Sequence, residues 1–147
     1  MKLWRINYFK RNRLEAIVLA GGLGTRLRSE IKEIPKPMAL IYDKPFLFYL
    51  FRNLAKSGVS RVILSVGYKS EMIVSYFGYS FFNCEIIYSI EQYSLGTGGA
   101  FRKALDLAIS DDVLLINGDT YANINLSKMF QFHLDNNSAV TLALKEM

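Results

Sequence analysis

Cysteine and histidine are almost missing from this chain: Cys84 and His133 stand alone among 147 residues. A lone cysteine closes no internal disulfide, which accords with a reducing cytoplasmic setting, and a lone histidine leaves no basis for a histidine base or a zinc site. With no histidine near it in sequence, Cys84 reads as a packed thiol. His133 falls in a helical segment away from the motifs below and reads as a surface or packed residue. Long apolar runs are missing too: none reaches the roughly 18 residues that signal a membrane span. The start, Met1 to Arg13, carries Lys2, Arg5, Lys10, Arg11 and Arg13 but no apolar core of a secretory signal. Residues 1–14 are therefore expected to be a flexible basic leader. An amphipathic membrane-surface segment is the alternative, because Leu3, Trp4, Ile6, Tyr8 and Phe9 are interspersed there. The common phosphate loops are absent as well. There is no G-x-x-x-x-G-K-[ST], and Gly22-Leu-Gly24-Thr-Arg-Leu27 has leucine where the dinucleotide fingerprint needs its last glycine.

What is present is the material of one globular domain. The chain is 51% hydrophobic, enough to build a packed core. Its net charge of +5 suits an anionic ligand. The basic residues are dispersed and no nucleic-acid-binding motif is found, so a small phosphorylated ligand explains the charge better than nucleic acid does.

Two periodicities alternate after the leader. Apolar runs predict strands over Ala16–Ala20, Arg61–Val66, Glu85–Ser89, Val113–Asn117 and Ala139–Leu144. Helical spacing predicts helices between them. Phe46–Lys56 carries Phe46, Leu47, Leu50, Phe51 and Leu54 and stops at Gly58. Ser70–Phe77 has Ser70 as N-cap and Gly78 beyond its end, Gly98–Ile109 has Thr97 as a cap, and Ser127–Leu134 has Ser127 as N-cap. Such alternation predicts βαβ units: a mostly parallel sheet with helices on both faces, a Rossmann-like three-layer α/β/α sandwich. Ligands of such sheets bind beyond the carboxyl ends of the strands. The segments Gly21–Arg26, Gly67-Tyr68 and Asp119 all follow strands and are expected to converge on that edge.

Three segments carry candidate chemistry. In the first, a buried strand runs into Gly21, Gly22 and Gly24, followed by Thr25 and Arg26, and then by Pro35-Lys36-Pro37-Met38. Small residues let backbone N–H groups approach an anion, and Arg26 and Lys36 supply positive charge for a triphosphate. In the second, Glu91 leaves a strand end and is followed by Leu95-Gly96-Thr97-Gly98-Gly99. Its carboxylate suits two donors on one edge of a base, which favours guanine, although backbone groups near Gly96 are able to alter that preference. In the third, the strand Val113–Ile116 delivers Asn117-Gly118-Asp119. A single carboxylate at a strand end suits Mg²⁺, which takes one or two protein carboxylates together with water and phosphate oxygens.

The ordered pattern G-G-x-G-T-R-L followed by P-K-P-M resembles that of the sugar-1-phosphate nucleotidylyltransferases. Gly21–Leu27, Ile34–Met38, Tyr88–Gly99 and Asn117–Thr120 make the chain most similar, within that family, to the D-glycero-α-D-manno-heptose 1-phosphate guanylyltransferases of surface-polysaccharide pathways. The resemblance covers about Glu15 to Met147. It implies the nucleotide-diphospho-sugar transferase fold and attack of a sugar 1-phosphate on the α-phosphorus of a nucleoside triphosphate, with Mg²⁺ as cofactor. It assigns nucleotide binding to Leu19, Ala20, Gly21, Gly22, Gly24, Thr25, Glu91, Gly96 and Thr97. Arg26 and Lys36 take catalytic roles and Asp119 the metal. The partners implied are GTP and a heptose phosphate, with a homo-oligomer allowed.

Family members continue beyond the point matched by Met147. Residues 15–147 are accordingly expected to be a nucleotide-binding part without the sugar-binding C-terminal part. Two further readings stand beside guanylyl transfer. One is another sugar-1-phosphate guanylyl-, uridylyl- or thymidylyltransferase. The other is an inactive nucleotide-binding fragment or regulatory module.

Overall fold

A computed structural model describes residues 14–22 and 34–144. The leader over 1–13 and the motif residues Gly24, Thr25, Arg26 and Leu27 lie outside the described residues. Leu14, expected as the last residue of the leader, is buried in the core and belongs to the domain.

The elements in chain order are β1 (Glu15–Leu19), a 3₁₀ turn (Lys36–Met38), the short hairpin β2 (Leu40–Ile41) and β3 (Lys44–Pro45), α1 (Phe46–Lys56), β4 (Arg61–Val66), α2 (Ser70–Phe77), β5 (Ser80–Phe81), β6 (Cys84–Ile90), α3 (Gly96–Leu105), β7 (Val113–Asn117) and α4 (Leu126–Asp135). The main sheet has the order β5-β6-β4-β1-β7. Every pairing in it is parallel except β5 with β6. The chain moves outward from β1 to β4 to β6 and then crosses back to the far side of β1 as β7. Right-handed crossovers turn that reversal into a change of face. Leu47, Leu50, Phe51 and Leu54 of α1 and Ile73 and Phe77 of α2 pack on one face with Val62, Leu64 and Ile86. Phe101, Ala104 and Leu105 of α3 pack on the other with Ile17 and Ile63. The expected α/β/α sandwich is observed.

Local chemistry explains most boundaries. Helix α1 ends in a Schellman motif: Gly58 at φ +83° donates to Ala55 O at 3.1 Å and Val59 to Leu54 O at 3.1 Å. Helix α4 is capped by Asn125, whose side chain accepts from Lys128 N at 2.9 Å. The expected cap, Ser127, instead donates to Ser57 O at 2.8 Å, at the C-terminus of α1. Helix α2 starts after Lys69, in the left-handed region at φ 52°, and has no side-chain cap, so Ser70 is not its N-cap.

Two expectations are corrected. The helix expected over 98–109 runs from Gly96 to Leu105, after Leu95 and not Thr97 as N-cap. Its early stop has a cause: Ile109 N and Ser110 N donate to the Glu15 carboxylate at 3.0 Å each and are unavailable to a helical ladder. The strand expected over 139–144 is irregular. Val140, Leu142 and Leu144 alternate as a strand would, but they are 72%, 74% and 88% exposed and pair with no strand among the described residues. A strand has little stability without a partner.

The lone cysteine and histidine sit as expected. Cys84 is a buried thiol that donates to Val59 O at 3.0 Å, and burial raises its pKa. His133 contacts Thr141 Oγ1 at 2.9 Å and Asp112 Oδ1 at 3.3 Å, away from the site below. No helix among the described residues is long and apolar enough to cross a membrane.

Candidate functional site

Strand order decides where the site lies. β1 and β7 are neighbours reached from opposite directions, and a cleft opens where such a sheet reverses, outside the carboxyl ends of its strands. Here it measures about 440 Å³ and is lined by Leu19, Ala20, Gly21 and Gly22 from the end of β1 and by Asn117 and Asp119 from the end of β7. Glu91, Ser94, Gly96, Thr97 and Ala100 come from the β6–α3 connection, and Lys36 and Pro37 from the 3₁₀ turn. All the described residues marked in the sequence as nucleotide-binding, catalytic or metal-binding therefore share one cavity. Pro37, Ser94, Ala100 and Asn117 line it without having been singled out, although Pro37, Ser94 and Asn117 lie inside segments that were and Ala100 directly follows one. Gly67 and Tyr68, expected on the same edge, are not among the lining residues.

Close approach explains two glycines. Gly118 N donates to Leu19 O at 2.7 Å, drawing the end of β7 against that of β1. A Cβ at position 118 would stand 2.9 Å from both Leu19 O and Ala20 Cβ. Gly118 is thus the residue that lets Asp119 emerge beside Gly21. Gly118→Ala is expected to force the two strand ends apart and destabilise the chain by about 1–3 kcal/mol. A urea midpoint equal to that of the parent would contradict this. Gly21 faces a different neighbour: its Cβ would lie 2.3 Å from Glu91 Oε1.

The prolines at 35 and 37 are buried and hold the 3₁₀ turn, with Met38 N donating to Pro35 O at 2.8 Å. Lys36 is thereby aimed across the cleft. Its Nζ donates to Asp119 Oδ2 at 2.5 Å, joining residues 83 apart in sequence. Thr120 Oγ1 donates to Asp119 Oδ1 at 3.2 Å. The hydrogen bond from Lys36, more than any other influence, holds the Asp119 carboxyl below the usual carboxylate range. Asp119 stays ionised as the pH falls until that lowered pKa is reached. The pair is partly exposed (side chains 37% and 40%), so its attraction is screened.

Asp119 offers a partly exposed carboxylate at the cleft that could hold a divalent cation together with water and phosphate oxygens.

Glu91 sits deeper. Its N–H donates to Val66 O at 2.7 Å, its Oε1 accepts from Ser65 Oγ at 2.9 Å and its Oε2 from Leu95 N at 3.2 Å. It ties the end of β4 to the entry of α3. Ser65 was not legible in the sequence as part of the site. The one signal was a hydroxyl within the apolar run Arg61–Val66.

Residues 15–147 match the nucleotidyl transferase family. The chain is 54% identical over 134 residues to a D-glycero-alpha-D-manno-heptose 1-phosphate guanylyltransferase of Aneurinibacillus thermoaerophilus, covering 91% of this chain and 58% of the relative. It is 50% identical over 134 residues to the protein of the same name from Campylobacter jejuni, with the same coverage. The crystal structure of HddC from Yersinia pseudotuberculosis superposes with a TM-score of 0.75 at 41% identity, over 83% of this chain and 55% of HddC. HddC has also been solved complexed with GMP-PN. The chain thus spans about 58% of the length of the curated relatives it matches.

Proposed function

The chain belongs to the nucleotidyl transferase family, and from that premise we propose that it carries the nucleotide-binding part of a guanylyltransferase that joins GTP to a sugar 1-phosphate. The products are an NDP-sugar and pyrophosphate. The observation that carries the reading is the convergence of Gly21, Gly22, Lys36, Glu91, Gly96, Thr97 and Asp119 on one cleft. The two heptose 1-phosphate guanylyltransferase relatives favour GTP and a heptose phosphate as substrates. A cytoplasmic setting accords with the use of a nucleoside triphosphate.

The motifs, and the geometry of the described residues, support a role for each residue. The attacking phosphate oxygen is already ionised, so the reaction needs no general base; positioning and charge neutralisation lower the barrier. Gly21 and Gly22 offer an approach to the triphosphate free of side-chain bulk, and the motif assigns Gly24 and the Thr25 hydroxyl to the same phosphates. Arg26 stabilises charge that develops on the departing pyrophosphate. Lys36, held at the mouth of the cleft by its prolines, exchanges Asp119 for the α-phosphate and the incoming phosphate. Asp119, thereby released, is the carboxylate that would hold Mg²⁺. Bound there with the phosphates, the ion would neutralise the charge that develops in transfer. Gly96 and Thr97 border the base and sugar side, with Leu19 and Ala20 forming the cleft floor.

The test uses the whole chain with Mg²⁺. Binding is measured for GTP, UTP, dTTP, CTP and ATP, and pyrophosphate release for each with heptose and mannose 1-phosphates. GTP is expected to bind best, with release dependent on GTP and on a heptose phosphate. Equal binding of UTP or dTTP would overturn the guanylyl assignment. GTP binding without release from any pair would overturn transfer by this chain and leave the nucleotide-binding module. Arg26→Ala is expected to abolish release and to leave the thermal unfolding midpoint unchanged; undiminished release would remove Arg26 from the mechanism.

A further inference from the structure

We infer that Ser65 is a positioning residue for nucleobase choice, acting through Glu91. Ser65 is the penultimate residue of β4 and is 0% exposed. It lies on the face of β4 that carries Ile63 toward α3, between Leu19 of β1 and Ser89 of β6. A hydroxyl in such a place costs free energy unless it finds a partner. Ser65 finds one in Glu91 Oε1, 26 positions away, at the border of the cleft.

A carboxylate has about four lone-pair sites. Ser65 Oγ occupies one on Oε1 and Leu95 N one on Oε2, leaving one on each oxygen. Two donors, one on each oxygen, fix the carboxylate plane, which is otherwise broadly variable because the torsion joining it to the stem is of the sp³–sp² kind. A fixed plane can meet a pair of adjacent donors, such as the N1–H and N2 amine of guanine. A rotating one meets them poorly. Among the described residues on the phosphate side, Gly22, Lys36 and Asp119 have no hydrogen bond to the Ser65 hydroxyl, which bonds Glu91, so loss of the hydroxyl alters base choice and leaves triphosphate binding in place. Ser89, the register partner of Ser65, is equally buried, but its hydroxyl has no hydrogen-bond partner. It supplies an internal control.

The inference rests on the proposed reading of Glu91 as acceptor of the base. The experiment measures affinities of the whole chain for GTP and ITP, which lacks the N2 amine, with Mg²⁺, in the parent and in Ser65→Ala, Ser89→Ala and Glu91→Gln. The parent is expected to prefer GTP. Ser65→Ala should narrow the GTP-to-ITP ratio about 3–10-fold with ITP affinity unchanged, and Ser89→Ala should leave the ratio alone. Should Ser65→Ala unfold, Ser65→Cys, which retains a weak donor of similar size, carries the same measurement and is expected to narrow the ratio less. An unaltered ratio in the Ser65 variant, or equal weakening of both nucleotides, overturns the inference while Glu91→Gln still abolishes the preference. A parent without preference, or a Glu91→Gln variant that retains it, instead overturns the reading of Glu91, and the inference with it.

Discussion

Glu15→Ala is expected to lower the stability of this chain by about 3–5 kcal/mol, the range for breaking one side of a buried ion pair. Glu15 opens β1 and is 1% exposed, far from the cleft. Its Oε1 accepts from Arg61 Nη1, and its Oε2 accepts from Ile109 N and Ser110 N, both at 3.0 Å. The carboxylate thus joins the start of β1, the start of β4 and the turn that leaves α3. Alanine would strand two backbone donors and leave Arg61, whose side chain is 11% exposed, with the exposed Glu85 and the carbonyl of Leu107 as its partners. An apolar pair at both positions removes the Arg61 charge but still leaves Ile109 N and Ser110 N without the Glu15 acceptor, so it is expected to cost only somewhat less than Glu15→Ala. Glu15→Gln, which keeps an acceptor and the shape, should fall between the parent and Glu15→Ala. Since domains of this size are stabilised by about 5–15 kcal/mol, urea denaturation should show a large fall in midpoint. A Glu15→Ala midpoint near that of the parent would show that the network contributes little.

Asp119→Asn and Lys36→Ala are each expected to slow pyrophosphate release about 10²–10³-fold, the range for removing one preorganised charged group from a transition state. Asparagine retains the shape of Asp119 and removes the charge, so the fold should be retained. The 2.5 Å hydrogen bond between the two residues is given up in the proposed reaction, Lys36 turning to phosphate and Asp119 to Mg²⁺, so the double variant is expected to be slower than either single one. The pH dependence has a definite sign. Lys36 lowers the Asp119 pKa, so removing Lys36 raises it and moves the acid limb of the rate profile to higher pH. Single variants within threefold of the parent, or a double variant no slower than either single one, would count against the separate roles proposed for these residues.

Some of this molecule is written in short stretches of sequence. The apolar runs of β1, β4 and β7 lie within a residue of the expected bounds, and β4 and β7 match them. The spacing of Leu47, Leu50, Phe51 and Leu54, with Gly58 behind them, defines both the buried face and the end of α1. The site segments are local patterns as well, and a parallel sheet necessarily delivers strand ends to one edge. Other features needed the whole fold. Asn125 and Ser127 are both good caps by type; only the packing of α4 beside the end of α1 gives the first to its own helix and the second to Ser57. The alternation over 139–144 states a preference for extended backbone, but a strand also needs a neighbour. Three polar pairings, Glu15 with Arg61, Ser65 with Glu91 and Lys36 with Asp119, span 46, 26 and 83 positions. Periodicity and turn chemistry act over a few residues and can be read there. The partner of a buried or half-buried polar group depends on strand order and register, which exist only once the chain has crossed back over its own sheet.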